Sequence, residues 1–157
     1  MTKKITENII SFNSPFGWIS VYENKNFITK VNFKKEKIYG KKTRQLKKIK
    51  RNIISYFKNQ INILDAKIKV NGKNIDKKIW REIKKIKKGK TKSYGEIAKK
   101  FKISPRYVGK ICGMNQHLLF IPCHRVLRSD GTLGGFSAKG GLQLKKKLLK
   151  FERHKFL

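Results

Sequence analysis

The first third of the chain has two runs of β-branched and aromatic residues, followed by apolar residues at helical spacing. The runs at 16–22 and 27–33 flank a turn-prone segment at 23–26, and this arrangement predicts a β-hairpin. A helix is then predicted to begin after Thr43, a residue type that caps helices. Its inward side consists of apolar residues spaced three or four apart, namely Leu46, Ile49, Ile53 and Phe57. A further short strand is predicted at 66–70.

The second half of the chain has three successive helical patterns. In the first, at 76–88, apolar residues line one side and lysines the other. Ser93 and Glu96 have the spacing of a capping box and begin the second pattern. Ser104, followed by a proline, is a suitable cap for the third. Two short helices with a tight connection predict a helix-turn-helix, although a plain three-helix bundle fits the same spacing.

The third predicted helix has a smooth and basic side. At 100° per residue, four residues lie opposite its apolar positions: Arg106, Gly109, Lys110 and Gly113. A glycine inside a helix costs roughly 1 kcal/mol relative to alanine, so two glycines on one side indicate something other than stability. They allow the backbone to approach another molecule closely, and the cations beside them favour a groove of DNA. Cys112, on the opposite side, is predicted to be a core residue.

The chain of 157 residues is strongly basic, with 41 Lys plus Arg against 9 Asp plus Glu and a net charge of +32. Because 34 of the cations are lysine, a skew that A- and T-rich codons produce in any protein, the charge alone is weak evidence of function. Even so, few cellular partners other than nucleic acid or an anionic membrane tolerate such a charge. A structural basic protein, such as a nucleoid or ribosomal component, also fits it.

The chain has neither a membrane-spanning pattern nor a secretory signal. Its longest apolar run is the four residues at 118–121, far short of the about 18 that suggest a membrane span. The amino end lacks the apolar stretch of a signal peptide. We therefore expect a cytoplasmic protein that binds nucleic acid and not a membrane.

The most distinctive stretch is 121–127, in which Cys123 and His124 are adjacent. The two cysteines and three histidines of the chain form neither a disulfide framework nor a zinc-binding pattern, so no metal is expected. A reactive cysteine needs a thiolate, which in turn needs a base or a positive environment. Neighbouring side chains on an extended segment point to opposite faces. Cys123 and His124 therefore cooperate only if the backbone bends or a water bridges them, and otherwise they are a structural pair.

The run Pro-Cys-His-Arg-Val at 122–126 resembles the signature of the O6-alkylguanine-DNA alkyltransferases, the methylated-DNA–protein-cysteine methyltransferases. Residues 75–157 contain further landmarks of that family in the same order: Trp80, Gly89, Ser93, Tyr94, 104–109, Asn115, 134–137, Leu148, Leu149 and Glu152. The resemblance implies an α/β (α+β) fold of two domains. A ribonuclease-H-like amino-terminal domain at 1–73 would precede a helix-turn-helix, winged-helix-like domain for DNA binding and catalysis at 74–157.

The resemblance also implies a catalytic set. Cys123 would accept the alkyl group, His124 would take the thiol proton through a water, and Glu152 would hold His124. Asn115 would organise the turn beneath the site. The position of Glu152 supports its role independently, because it shares a helix side with leucines, where a carboxylate should have a specific partner. The alternative is a surface glutamate near the carboxyl end.

A target base inside a duplex must leave the stack to reach a buried cysteine. In the family, an arginine at the position of Arg106 fills the gap, and a tyrosine at the position of Tyr94 crowds the target phosphate. The alternative for Arg106 is a phosphate contact, and the alternative for Tyr94 is packing between the first two helices of the second half. The helix with Arg106 is expected in the minor groove. The resemblance places the base pocket at Tyr94, Val126, Phe136 and Ser137. Phe136 departs from the tyrosine common in relatives, and the loop at 136–142 is two residues longer than in some of them.

The function that the resemblance implies is DNA repair by direct, irreversible transfer of one alkyl group per protein, without a cofactor. The expected partner of this single-turnover methyltransferase is double-stranded DNA containing O6-alkylguanine, and O4-alkylthymine is a further candidate substrate. The protein is expected to be a monomer. A non-catalytic alkyltransferase-like protein that binds the lesion is the first alternative. Such proteins lack the acceptor cysteine, and the presence of Cys123 argues against this alternative. A structural basic protein leaves the run at 122–126 unexplained.

Overall fold

The computed structural model describes residues 7–135 and 141–153. The chain forms two compact units, Met1–Lys69 and Val70–Leu157. The domain boundary predicted at 73/74 and the ribonuclease-H-like assignment of the first domain stay predictions. In the described part of the chain, no helix combines the length and the apolar character needed to cross a membrane.

The first unit contains an antiparallel sheet of three strands in the order β1-β2-β3. The strands are β1 (Asn8–Ser14), β2 (Gly17–Asn24) and β3 (Phe27–Asn32). Lys25 and Asn26 join β2 to β3 with φ of 49° and 67°, a left-handed conformation that suits a two-residue hairpin turn. The predicted hairpin is therefore confirmed, with a shorter turn than 23–26. Strand β1 has no counterpart in the predictions.

The prediction of a strand at 66–70 is wrong. The backbone there makes only an isolated parallel bridge between Ile28 and Ile68. Two hydrogen bonds hold it, from Ile28 N–H to Lys67 O at 2.7 Å and from Lys69 N–H to Ile28 O at 2.8 Å. Pairing at a single residue fixes the position of the segment but does not extend into a ladder.

Helix α1 (Arg44–Phe57) completes the first unit and confirms the predicted helix. The side chain of Thr43 accepts a hydrogen bond from Leu46 N–H at 3.2 Å and so caps it. The buried residues of the helix are Leu46, Ile49, Ile53, Tyr56 and Phe57. They form a core with the buried residues of the sheet, among them Ile10, Phe12, Ile19, Val21, Ile28 and Val31.

The second unit is mainly helical. Its helices are α2 (Asn74–Lys84), α3 (Tyr94–Phe101), α4 (Pro105–Gly113) and α5 (Gly141–Phe151). The short strands β4 (Lys92–Ser93) and β5 (Val126–Leu127) pair in parallel. Helix α2 is shifted from the predicted 76–88. Asp76 caps its first turn by accepting from Lys73 N–H. The helix ends at Lys84, after which Lys85 and Ile86 N–H donate to carbonyls three residues back, Glu82 O and Ile83 O.

The predicted starts of α3 and α4 are confirmed. The Ser93 hydroxyl accepts from Glu96 N–H at 3.0 Å, and the Glu96 carboxylate accepts from Ser93 N–H at 3.3 Å, which completes a capping box. The Ser104 hydroxyl accepts from Tyr107 N–H at 3.1 Å, with proline at the first helical position. Only 102–104 separates the two helices. The helix-turn-helix interpretation of this pair stays a prediction.

Candidate active site

Cys123 begins a 3₁₀ turn, Cys123–Arg125, at the end of a buried stretch of chain. Its N–H donates to Ile121 O at 2.8 Å, and Arg125 N–H donates to Pro122 O at 2.9 Å. The exposed fractions of Cys123 and His124 are only 2% and 1%. The backbone bends here, which meets the condition under which these two adjacent side chains can cooperate.

The side chain of Asn115 binds the backbone just before this turn. Its amide Nδ2 donates to Ile121 O at 2.8 Å, and its Oδ1 accepts from His117 N–H at 2.8 Å. Ile121 O therefore accepts from both the Asn115 side chain and the Cys123 backbone. Because Asn115 is itself buried, its two hydrogen bonds are protected from water and fix the position of the turn.

His124 and Arg125 both bind the carboxylate of Glu152. His124 Nε2 lies 3.0 Å from Oε2. Arg125 donates from Nε to Oε1 at 2.8 Å and from Nη2 to Oε2 at 2.7 Å, a bidentate geometry that strengthens the pair. Arg125 Nη1 also donates to Ile86 O at 2.6 Å. Arg125 was part of the sequence signature, but no role was predicted for it.

These contacts set the charges of the group. Burial acts to raise the pKa of Glu152, but the charges and hydrogen bonds of His124 and Arg125 outweigh it and hold that pKa well below its usual range. Burial lowers the pKa of His124 below 6.5, with Glu152 opposing the shift. At neutral pH the carboxylate is ionised and the imidazole is neutral. Since a carboxylate only accepts, Nε2 carries the proton and Nδ1 is the basic nitrogen.

The acceptor candidate Cys123 is a protonated thiol in this environment. Burial is the main reason that its pKa is raised well above 9.0, and the neighbouring Cys112 thiol adds to the rise. The charge of Lys145 and a hydrogen bond with Asn115 act in the opposite direction. A buried thiol of this kind needs a base for reaction, and His124 is adjacent.

Lys145 is fully buried on α5, and the sequence predictions did not include it. Its Nζ donates to Val126 O at 2.7 Å and lies 3.3 Å from both Gly135 O and the Tyr94 hydroxyl. Burial lowers its pKa to about 8, although the cysteine thiols oppose the shift. One signal could have identified it: Lys145 shares the three-and-four spacing of Leu148, Leu149 and Glu152.

A pocket of about 700 Å³ opens beside this site. It is lined by Tyr94, Pro105, Arg106, Gly109, Gly113, Arg128, Gly134 and Gly135. Lys145 connects the pocket to the turn at Cys123–Arg125, because it binds the lining residues Tyr94 and Gly135 and also Val126, which directly follows the turn. Arg128 is an exposed cation that the sequence predictions missed.

Gly134 allows Tyr94 to lie against the pocket wall. A Cβ atom at Gly134 would collide with the Tyr94 ring and hydroxyl, whereas a Cβ at Gly135 meets nothing within 4 Å in the described part of the chain. Burial raises the pKa of Tyr94, so its hydroxyl stays protonated at neutral pH and can donate a hydrogen bond.

The structure thus brings most of the predicted site residues together. Cys123 and His124 lie in the turn at Cys123–Arg125, Asn115 donates to Ile121 O just before it, and Glu152 binds His124 and Arg125. Four line the pocket: Tyr94, Arg106, Gly109 and Gly113. Lys110 is exposed on α4 but does not line the pocket. Val126 is buried, and its carbonyl accepts a hydrogen bond from Lys145. Phe136 and Ser137 lie outside the described residues.

The described residues contain no group of three or more His, Cys, Asp or Glu side chains that could hold a metal ion.

Comparison with known proteins gives consistent matches. The family described as 6-O-methylguanine DNA methyltransferase, DNA binding domain, matches residues 74–154. A methylated-DNA–protein-cysteine methyltransferase of Sulfolobus acidocaldarius is 35% identical over 144 residues, covering 90% of this chain and 90% of that protein. The crystal structure of an O6-methylguanine methyltransferase from Mycobacterium tuberculosis is similar with a TM-score of 0.82 and 25% identity, covering 94% of this chain and 93% of that one. A structure of Mycobacterium tuberculosis OGT in complex with DNA has a TM-score of 0.80 and 25% identity, covering 92% of each chain.

Proposed function

The chain belongs to the 6-O-methylguanine DNA methyltransferase family, and from that premise we propose that it repairs DNA by moving the alkyl group of O6-alkylguanine onto Cys123. The observation that carries the proposal is the buried Cys123 thiol beside the His124–Glu152 pair, next to a pocket with two arginines. The similarity to a methylated-DNA–protein-cysteine methyltransferase over most of both chains supports the same reaction.

In this mechanism His124 activates the thiol. Its Nδ1 takes the Cys123 proton through a water, and the imidazolium that forms is stabilised by the Glu152 carboxylate at 3.0 Å. Arg125 keeps that carboxylate ionised and in place. The imidazole is neutral at rest, so it is ready to accept a proton at neutral pH.

The transfer itself is a displacement at the alkyl carbon. The bond from Cys123 sulfur to carbon forms while the bond from that carbon to O6 breaks. The guanine leaving group stays in the DNA and takes up one proton, which balances the proton that His124 removes from the thiol. The product is a thioether, which has no reactive leaving group, so each protein accepts one alkyl group. The step needs neither an oxidant nor a cofactor.

The pocket is the proposed entry for an extruded base. The glycine side of α4 would lie in the minor groove, Arg106 would fill the gap in the duplex, and Tyr94 would crowd the target phosphate. Val126, Phe136 and Ser137 would contact the base. Lys145 would position this wall, because it ties Tyr94 and Gly135 to Val126.

We further propose that the protein acts as a monomer in the cytoplasm. One chain carries the thiol, its base and the pocket, so the reaction needs no second copy. Both cysteines are free thiols, and an acceptor thiol is preserved best in a reducing compartment. Sedimentation in solution and fractionation of cells test these two points.

The reaction is tested by incubating the protein with a duplex oligonucleotide containing O6-methylguanine. Mass analysis of peptides should find one added methyl group on the peptide with Cys123, and the oligonucleotide should lose one. Cys123→Ala should bind the duplex and accept nothing, whereas Cys112→Ala should transfer at least as fast as the parent, because Cys112 raises the pKa of Cys123. Tight binding without transfer would identify a lesion sensor, and labelling of Cys112 would show that the acceptor assignment is wrong.

A further inference from the structure

The outward side of α1 is entirely cationic. The helix contains no acidic residue, and all its solvent-exposed residues are cations: Arg44, Lys47, Lys48, Lys50 and Arg51. Arg44, Lys47, Lys48 and Arg51, here called the cationic row, are spaced three, four and seven residues from the first. They therefore lie within about 100° of one another around the helix axis. Within the described residues, none of the four forms an ion pair.

The cationic row does not serve the stability of its own helix. Like charges three or four residues apart repel each other, and the row contains several such pairs. Arg44 also occupies the first helical position, where the helix dipole favours an acidic side chain. The helix is instead stabilised by its buried apolar side and by the Thr43 cap.

Two other helices of the same chain have the opposite distribution of charge. Helix α2 has Asp76 in its first turn and Arg81 and Lys84 in its last. Helix α3 has Glu96 in its first turn and Lys99 and Lys100 in its last. Both follow the helix dipole. Helices α4 and α5 also lack an acidic residue in the first turn, but each has a lysine in the last turn, Lys110 and Lys150. Helix α1 has no acidic residue in its first turn and no basic residue in its last. A general excess of lysine does not explain why α1 alone among the five helices of the described residues lacks both, because the excess applies to all of them.

We propose that the cationic row of α1 is a second DNA-binding surface, which contacts phosphates of the duplex independently of sequence and of the lesion. Attraction between the four cations and the phosphates would offset the repulsion among the cations. At 1.5 Å per residue the row is about 10 Å long, which matches a length of duplex with about six phosphate charges.

DNA is the partner that the rest of the chain favours. The family domain at 74–154 binds DNA, and a second contact on the same chain acts at a high effective concentration once the first has formed. The chemistry at Cys123 does not require the row. The proposal therefore goes beyond the repair reaction and can fail or succeed separately from it.

The experiment compares two full-length variants that each lose four cations. The row variant is Arg44→Gln, Lys47→Gln, Lys48→Gln and Arg51→Gln. The control variant is Lys25→Gln, Lys37→Gln, Lys67→Gln and Lys69→Gln, four exposed lysines of the same unit without an ion pair among the described residues. Because both variants lose the same charge, a general effect of net charge is the same in each.

Affinity for an undamaged duplex oligonucleotide is measured over a series of salt concentrations. Each phosphate contact contributes about 0.9 to the slope of log K against log salt, so the row variant should flatten that slope by about 3 to 4 and the control by less than 1. At moderate salt the row variant should bind at least tenfold more weakly than the control. Both should take a methyl group from the free O6-methylguanine base at the parental rate.

Thermal unfolding provides a second measurement. Without DNA the row variant should melt at the parental temperature or above it, because like-charge pairs are removed, and DNA should raise its Tm less than that of the control. A lower Tm without DNA would show that the row stabilises α1, and would overturn the proposal.

Three further results would also overturn it: equal flattening in both variants, an unchanged slope in the row variant, or loss of binding to phosphatidylserine vesicles with duplex affinity intact. The last would identify a membrane surface. If the parent transfers no methyl group from the free base or the methylated duplex, the repair function fails, but the salt slopes still decide the role of the row.

Discussion

His124 Nε2 lies 3.0 Å from Glu152 Oε2, and both side chains are buried. Arg125 binds the same carboxylate through two N–H groups. A neutral imidazole at rest thus lies beside a carboxylate that is already ionised and fixed. Accepting a proton at Nδ1 creates a buried ion pair in a geometry that exists before the reaction, which lowers the cost of the charged state.

The first prediction concerns this pair. His124→Gln and Glu152→Gln should slow methyl transfer by about 10²–10⁴-fold, because the first removes the proton acceptor and the second removes the carboxylate that stabilises the imidazolium. Glu152→Gln should also destabilise the protein, by about 3–5 kcal/mol, since it leaves the Arg125 charge buried without an ionised partner. The single-turnover rate must therefore be measured at a temperature where circular dichroism shows a folded variant. Parental rates in a folded Glu152→Gln protein would remove the carboxylate from the mechanism.

The second prediction is the pH dependence of the rate and of stability. Burial places the pKa of His124 below 6.5, so transfer from the free base should stay on a plateau down to pH 6.5 and decline only below it. Folding lowers the pKa of both His124 and Glu152. As pH falls through about 6.5 and then about 4.5, the unfolded state therefore binds more protons than the folded state, and the free energy of unfolding decreases as pH decreases. His124→Gln should lose less stability between pH 6.5 and 5 than the parent. A rate inflection above pH 6.5 would contradict a lowered pKa of His124.

The sequence predicted those parts of the molecule that depend on local chemistry. Thr43, Ser93 and Ser104 were identified as caps because a side-chain oxygen satisfies backbone N–H groups whatever the tertiary structure. The position of Glu152 among leucines required a buried partner, and the structure places His124 and Arg125 there. The catalytic roles of these residues stay predictions.

The features that the sequence missed depend on tertiary contacts. Strand β1 contains Asn8, Ser11, Asn13 and Ser14 among its seven residues, so its pattern is weak, and pairing with β2 forms it. The segment at 66–70 has the composition of a strand but pairs only at Ile68. Lys145 has the helical spacing of buried residues, but its role depends on three hydrogen-bond acceptors that come from segments far from it in the chain or from a loop.

The third prediction tests Lys145 as a positioning residue. Lys145→Met removes the ties to Val126, Gly135 and Tyr94, so methyl transfer should slow at least tenfold, about 1.4 kcal/mol, on duplex and free base alike. Lys147→Met, on the exposed side of the same helix, should transfer at the parental rate. Affinity for undamaged duplex should change equally little in both variants. If Lys145→Met slows the reaction only on the duplex, the lysine acts on DNA binding and not on the pocket.

The fourth prediction separates extrusion of the base from the chemistry. Arg106→Ala should slow transfer from duplex DNA more than transfer from the free O6-methylguanine base, because only the duplex has a gap to fill. Lys110→Ala, exposed on the same helix, should weaken binding to all sequences alike and reduce the salt slope by about 1. Equal losses on duplex and free base would mean that Arg106 supports the fold or the pocket.

The last prediction uses two neighbouring glycines of the pocket wall. Gly134→Ala places a methyl group against the Tyr94 ring and hydroxyl, whereas the methyl group of Gly135→Ala meets no described atom within 4 Å. In Gly134→Ala the Tyr94 side chain must therefore move, and it loses its contact with Lys145 at 3.3 Å. We expect Gly134→Ala to lose at least tenfold in the rate of transfer and about 1–3 kcal/mol in stability, the usual cost of overpacking. Gly135→Ala should remain within about twofold in rate and 0.5 kcal/mol in stability. Single-turnover rates and denaturant unfolding of both variants, measured side by side, check this. If the two variants behave alike, the position of Tyr94 does not control the pocket.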